Sequence, residues 1–213
     1  MSKIHRLIIA GWGRAGKDEA GAFLGRITEL RYAGSTSWAA LPFVAARLKI
    51  HPQLAWETRH ARRQEWFEIC CDLRRVAEDP AFLVHRALQS GEIVVGIRDA
   101  VELAAVKEQE LVDRVLWIHR HAVEDSTVTF EEKDCDETIY NLNTLEDFHL
   151  TLFEWAVTNG LTLKRTPETE KLFRASRFYA WANDRGGFEG LEKAKFPAPF
   201  VFVPVTPFAI GNE

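Results

Sequence analysis

The sequence predicts an α/β protein: a parallel sheet covered by helices on both faces, with a helical insertion and a C-terminal appendage. Three observations lead there. Predominantly apolar runs recur at Leu7–Ala10, Glu92–Ile97 and Val115–His119, continuous rather than alternating, as in strands buried on both faces. Helical patterns lie between them, and strand–helix alternation implies crossovers and parallel order. A glycine-rich loop directly follows the first strand.

Each element has its own signal. Leu7–Ala10 ends at glycine and gives way to a helical pattern through about Ile27. Leu30–Ala33 reads as a second strand, closed by Gly34-Ser35. From Trp38 to Leu88 the pattern is mostly helical, with Pro42, Pro52 and Pro80 each placed near a helix start. Ser90-Gly91 stops it, and the Glu92–Ile97 strand follows. Asp99–Glu110 reads as helix, Val115–His119 as strand, and His121–Asp134 as a polar loop without period. Thr138–Tyr140 is a short strand. Thr144–Val157 is an amphipathic helix with Leu145, Phe148, Leu152 and Trp155 on one side. Pro167–Trp181 looks helical and Gly186-Gly187 breaks it. Phe196–Phe208 carries four prolines, at 197, 199, 204 and 207, which exclude a central strand and predict an extended tail over apolar surface.

The bulk numbers set bounds. A chain of 213 residues with 46% hydrophobic content supports one domain, or one domain with an appendage. The net charge of −4 demands neither nucleic acid nor membrane as a partner. Cys70, Cys71 and Cys135 show no zinc spacing and read as reduced thiols of a cytoplasm. Residues 1–10 are too short and charged for a signal peptide, and no apolar run reaches membrane-spanning length. A soluble, cytoplasmic protein is expected.

The loop Gly11-Trp12-Gly13-Arg14-Ala15-Gly16-Lys17-Asp18 satisfies two motifs at once. It is GxGxxG, the dinucleotide fingerprint, and also GxxxxGK followed by Asp, a variant of the Walker A P-loop. A dinucleotide site needs an acid near the end of the second strand, to hold a ribose hydroxyl. Ala33-Gly34-Ser35-Thr36 offers none. A P-loop needs a lysine directly after the last glycine, to reach the β- and γ-phosphates, and Lys17 is there. Backbone N–H groups at the helix start would complete the anion site. Asp18 replaces the usual Ser/Thr. It could hold the metal through water, or simply favour the helix dipole.

From the GKD end of this loop onward the sequence resembles the phage deoxynucleoside monophosphate kinases, within the nucleoside monophosphate kinase-like P-loop group. Arg62-Arg63-Gln64-Glu65-Trp66-Phe67-Glu68-Ile69-Cys70 is similar to that family's RRxxWFxxIC helix. Ile93–Arg98 matches a strand ending in VGxR, with Glu102 near the acid that follows; Val115–Ile118 resembles IIWV. Ile139–Asp147 resembles IDNNGTLED, with Asn143 where the family has Gly. These segments occur in the family's order over roughly residues 4–157.

The resemblance implies a three-layer P-loop NTPase fold with a kinase domain over 1–158. A helical acceptor-side insertion would span about 40–90 and a lid about 120–135. The appendage, 159–213, would pack on the same domain. It implies ATP and Mg²⁺ as cofactors and a free deoxynucleoside monophosphate as the simplest acceptor. A phage relative of this type would work in the host cytoplasm. One branch of such kinases phosphorylates the hydroxymethyl group of 5-hydroxymethyluracil in DNA during thymidine hypermodification, and the motifs fit that branch equally. A non-catalytic nucleotide-binding protein is the third reading.

Residues are expected to divide as follows. Residues 11–19, Glu19 included, with Asn141 bordering the adenine, would bind ATP, and Asp18 would serve the metal. Lys17 would bridge the phosphates, while Arg14, Arg98 and Arg120 neutralise the group in flight. Arg98 follows a strand at the sheet edge where ligands bind, and Asp99 is an alternative acid, base or metal ligand. For Asn141, Asn143 and Thr144, turn and N-cap chemistry competes with ligand contact. Ser35, Trp38, Arg98 and the basic cluster Arg59, His60, Arg62 and Arg63, on one helix, would meet the acceptor, or a DNA backbone if it is polymeric. Asp125 and Ser126 are weaker candidates.

Overall fold

The computed structural model describes residues 4–121, 125–183 and 186–193. Five strands form one sheet: β1 (Leu7–Ala10), β2 (Tyr32–Ser35), β3 (Ile93–Val95), β4 (Arg114–His119) and β5 (Glu137–Tyr140). Their order is β2-β3-β1-β4-β5, and every pairing is parallel. β1 lies at the centre, pairing Leu7 with both Ile93 and Arg114. The chain leaves it towards β2 and later crosses to β4, so strand order reverses there. Crevices of this kind form ligand sites at the carboxyl ends of the strands.

Alternate residues of each strand enter opposite layers. Leu7, Ile9, Ile93, Val95, Leu116 and Ile118 pack with α1 (Lys17–Ile27) and with later helices described below. Ile8, Ala10, Val94, Val115 and Trp117 face the other side. α2 (Thr36–Leu48), α3 (Pro52–Thr58), α4 (Arg63–Val76) and α5 (Phe82–Leu88) follow β2. They have their own core of Leu41, Val44, Trp66, Ile69 and Leu83. α5 also supplies Val84 and Ala87 to the sheet's second face, beside Leu103 and Val106 of α6 (Ala100–Glu108). The helical insertion is therefore a small bundle seated on the sheet through α5.

α7 (Leu145–Thr158) covers the first face with Phe148, Leu152 and Trp155. Its start is closed by a capping box between Thr144 and Asp147. Beyond it, α8 (Pro167–Ala175), α9 (Tyr179–Asn183) and α10 (Phe188–Lys193) complete the described chain. Leu161, Leu163, Phe173 and Phe178 join the same core as β1 and α1. The stretch before α8 runs beside the end of α1: Lys164 N–H donates to the Ile27 carbonyl at 2.8 Å.

Several sequence expectations need correction. The second strand is Tyr32–Ser35, not Leu30–Ala33. Pairing with β3 shifts between Tyr32 and Gly34, and Gly34 takes φ +90, so the Gly-Ser pair that reads as a stop continues the strand across a bulge. The third strand is only Ile93–Val95, because Gly96 turns at φ +91. Pro42 lies inside α2 rather than near its start, and Leu145 is 53% exposed rather than core-facing. The polar loop ends in a 3₁₀ turn, Glu132–Asp134. The helical stretch after Pro167 breaks at Ser176, whose ψ of 156° is extended. The expected tail over Phe196–Phe208 lies outside the described residues, as do 122–124 of the expected lid. No helix among the described residues is long and apolar enough to cross a membrane.

Candidate phosphate-binding cleft

The glycine loop joins the end of β1 to the start of α1. Gly11 has φ +138, and a Cβ there would lie 2.5 Å from the Ile118 carbonyl oxygen of β4, so only glycine lets the loop pass. Trp12 packs edge-on to Trp117, with ring centroids 5.9 Å apart. Arg14 sits at φ +65, and Gly16 caps α1 at φ +102. Ala15 is buried; its N–H donates to the Trp12 carbonyl and its own carbonyl accepts from Asn141 Nδ2 at 2.9 Å. Among the described residues the N–H groups of Gly13, Arg14, Gly16, Lys17 and Asp18 donate to no protein acceptor. Free N–H groups at a helix start form an anion site.

Lys17 is 9% exposed, and its Nζ donates to the Trp12 carbonyl at 2.5 Å. An ammonium has three donors, so two remain. Burial first, then the Arg98 charge, lowers its pKa from 10.5 to about 8, against the opposing pull of Asp18 and Asp125. An arriving polyanion would raise it again, favouring the charged form. Asp18 is exposed at the cleft and accepts from the Tyr32 hydroxyl at 3.2 Å.

The loop opens onto a cleft of about 1390 Å³ at the carboxyl ends of β1, β2 and β3. Six cationic side chains line it, Arg14, Lys17, Arg59, Arg63, Arg98 and Arg120, with two carboxylates, Asp18 and Asp125. Arg14 and Arg120 make no ion pair among the described residues. Arg63 and Arg98 both reach Asp125 Oδ2 through Nη1, at 2.5 and 2.8 Å. Arg98 Nη1 also donates to the Thr127 hydroxyl. Nη2 of each guanidinium has no protein acceptor among the described residues. Burial alone would raise the Asp125 carboxyl. The Thr127 hydroxyl and the Arg98 and Arg63 charges overcome this and hold it below its ordinary value.

The acceptor-side candidates separate. Ser35 lines the cleft and caps α2, its Oγ accepting from the Trp38 N–H at 3.1 Å. The basic cluster is not on one helix but on the turn between α3 and α4, with Arg63 the first residue of α4. That turn sends Arg59, His60 and Arg63 to the cleft. It sends Arg62 away, to Glu65 at 3.5 Å. Trp38 is 55% exposed and stands edge-on behind Trp56, which itself lines the cleft. The Arg59 guanidinium lies 3.9 Å from the Trp56 ring centroid.

Two further expectations change. Asp99 does not line the cleft: Oδ1 caps α6 by accepting from Val101 N–H, and Oδ2 is ion-paired with Arg74 at 2.5 Å. Glu19 turns towards α7, where Oε1 accepts from His149 Nε2 at 2.8 Å. Asn141 is buried beneath the loop, where its Nδ2 braces the Ala15 carbonyl. Sequence reasoning missed Trp56, although the i,i+3 spacing of Trp56 and Arg59 is a usable signal for stacking. It ranked Asp125 below the arginines that Asp125 holds.

Comparison with family models, with curated proteins and with solved structures finds no match to this chain. A lysine, free loop N–H groups and surplus guanidinium suit a polyphosphate. Among the described residues no cluster of three or more His, Cys, Asp or Glu could hold a metal alone. Asp18 offers one carboxylate oxygen, Oδ2, without a protein donor among the described residues. A single carboxylate fits a magnesium ion carried mainly by phosphates and water.

Proposed function

We propose that the chain is an ATP-dependent P-loop phosphotransferase of the nucleoside monophosphate kinase-like type. It moves the γ-phosphoryl group to a deoxynucleotide-type acceptor, most simply a deoxynucleoside monophosphate. The observation that carries this reading is Lys17, buried at the head of α1 below the unpaired loop N–H groups, at one end of the cationic cleft.

The loop N–H groups and Lys17 Nζ bind the β- and γ-phosphates. Asp18 would hold a magnesium ion, which would supply charge neutralisation for the phosphates. Arg98 and Arg63, pre-oriented by Asp125, present their remaining N–H groups to the transferring phosphoryl oxygens, and the exposed Arg14 and Arg120 add positive charge. Phosphoryl transfer is largely positioning and electrostatics. A monophosphate acceptor is already anionic and needs no base, which suits a cleft whose Asp125 is committed to arginines.

A second reading, transfer to the hydroxymethyl group of 5-hydroxymethyluracil in DNA, has its own support in His60. A hydroxyl acceptor must lose a proton, and His60 lines the cleft. Burial, then Arg59, Arg63, Arg14 and Arg98, lowers its pKa below 6.5, so it is a neutral base at pH 7.

The test is label transfer from γ-labelled ATP with Mg²⁺. The acceptors are the four deoxynucleoside monophosphates, plain duplex DNA and hydroxymethyluracil-containing DNA. Label in a monophosphate supports the first reading, and label in modified DNA alone sinks it for the second. ATP binding with label nowhere supports a non-catalytic nucleotide-binding protein.

A further inference from the structure

Among the described residues, α4 makes ion pairs outside its own helical bundle at two places, about three turns apart. At its first residue, Arg63 reaches Asp125 at the cleft. Near its far end, Arg74 reaches the start of α6. Its Nη1 donates to Glu102 Oε2 at 2.7 Å and its Nη2 to Asp99 Oδ2 at 2.5 Å. Arg74 itself does not line the cleft.

Arg74 is 8% exposed and Glu102 2%. Burial pushes the Glu102 carboxyl up from 4.5 to about 7 in spite of the Arg74 charge. A buried ion cluster of this kind adds little net stability, because desolvation offsets the attraction. Its best-attested use is to fix one register between packed elements. The bundle seats on the sheet through apolar side chains of α5, and apolar burial has no direction of its own. The planar fork of Arg74 does have one.

The chain shows what this register controls. Asp99 directly follows Arg98, and its Oδ1 caps α6 by accepting from the Val101 N–H at 3.0 Å. β3 ends before Gly96, which turns at φ +91, and the short stretch from there to Asp99 delivers Arg98 to the cleft. The contacts close into a ring: Arg63 to Asp125, Asp125 to Arg98, Asp99 to Arg74, and back along α4 to Arg63. We infer that Arg74 is a positioning residue: its fork fixes α4 against the start of α6 and so holds Arg63 and Arg98 at the spacing that lets both meet one phosphoryl group. This role rests on the phosphotransferase reading and extends it to a residue outside the cleft.

The experiment separates position from stability. Arg74→Met keeps an apolar stem and removes the fork. In the folded variant kcat with the best acceptor should fall by about 10- to 100-fold, while KM for ATP stays within about threefold of native, because the loop and Lys17 are untouched. Combining Arg74→Met with Asp99→Asn and Glu102→Leu removes the three charges together and keeps a capping side chain on α6. Its thermal midpoint should lie within about 5 °C of the native chain, with kcat still at least about tenfold low. Native kcat in folded Arg74→Met, or kcat that recovers with stability in the combined variant, overturns the assignment. If neither folds, Arg74→Lys keeps the charge and stem but lacks the fork; a kcat at least about fivefold down is expected, and a native kcat overturns the assignment. Amide exchange needs no activity. In Arg74→Met, or in Arg74→Lys if the first does not fold, the Val101 and Trp66 amides should exchange at least about tenfold faster, with α1 unchanged. A native chain that transfers no label defeats the phosphotransferase reading alone; native exchange rates at Val101 and Trp66 defeat the clamp.

Discussion

The Asn141 side chain donates from Nδ2 to the Ala15 carbonyl at 2.9 Å, tying the end of β5 to the crown of the glycine loop. Both residues are buried, and a Cβ on Gly16 would collide with the same amide. The loop's shape thus depends on a residue 126 positions away. Asn141→Ala leaves a buried carbonyl unpaired, and we expect a loss of about 1–3 kcal/mol of stability. Loosened N–H geometry should also weaken ATP binding several-fold. Urea unfolding and ATP titration check both; an unchanged ATP Kd would remove the bracing role.

Asp125 holds Arg63 and Arg98 from one oxygen, and predicts an unusual split. Asp125→Asn removes negative charge from an anion site, so ATP should bind tighter. The arginines lose their anchor, so transfer should slow by about 10- to 100-fold. Steady-state kinetics beside equilibrium ATP binding separates the two effects. A parallel loss in both would assign Asp125 to simple folding.

Lys17 sets a pH dependence in the ligand-free protein. Its folded pKa, about 8, lies below the unfolded value of 10.5. Below pH 8 both states carry the proton and the folded state bears the cost of a buried charge. Between about 8 and 10.5 the unfolded state binds more proton, so this group makes stability rise with pH. Lys17→Met should remove that rise and stabilise the ligand-free protein at pH 7 by about 1–3 kcal/mol. Thermal melts of both proteins from pH 7 to 10 measure it.

Gly11 tests the loop's packing. Gly11→Ala would press a methyl group onto the Ile118 carbonyl at 2.5 Å, at φ +138. We expect a loss of about 2–4 kcal/mol. Gly34→Ala shares the positive φ but meets nothing within 4 Å, and should cost less. Denaturant unfolding of the two variants gives the comparison.

Much of this was legible in the sequence, for identifiable reasons. The runs at Leu7–Ala10 and Val115–His119 read as strands because both faces are buried, so apolar residues are nearly continuous. Strand order was not legible, since crossovers leave no local trace. The loop was legible because Gly11 and Gly16 are conformational necessities and Lys17 follows directly. The direction of side chains was not. Arg62 and Arg63 are neighbours, yet the turn before α4 sends one to Glu65 and the other to Asp125. Asp99 lies one residue beyond Arg98, and its carboxylate is consumed by the α6 cap and Arg74. Asn141 reads equally well as turn or ligand until β5 is set beside the loop. Long-range pairing decides such roles, and period and spacing do not encode it.

In the proposed reaction Lys17 and the loop hold the phosphates of the group in transfer. The most direct measurement is label transfer from γ-labelled ATP by the native chain and by Lys17→Met, at pH 7 with Mg²⁺ and the best acceptor. The expected result is transfer by the native chain and a loss of about 10²–10³-fold or more in the folded variant. A folded Lys17→Met that transfers phosphate at the native rate would contradict it.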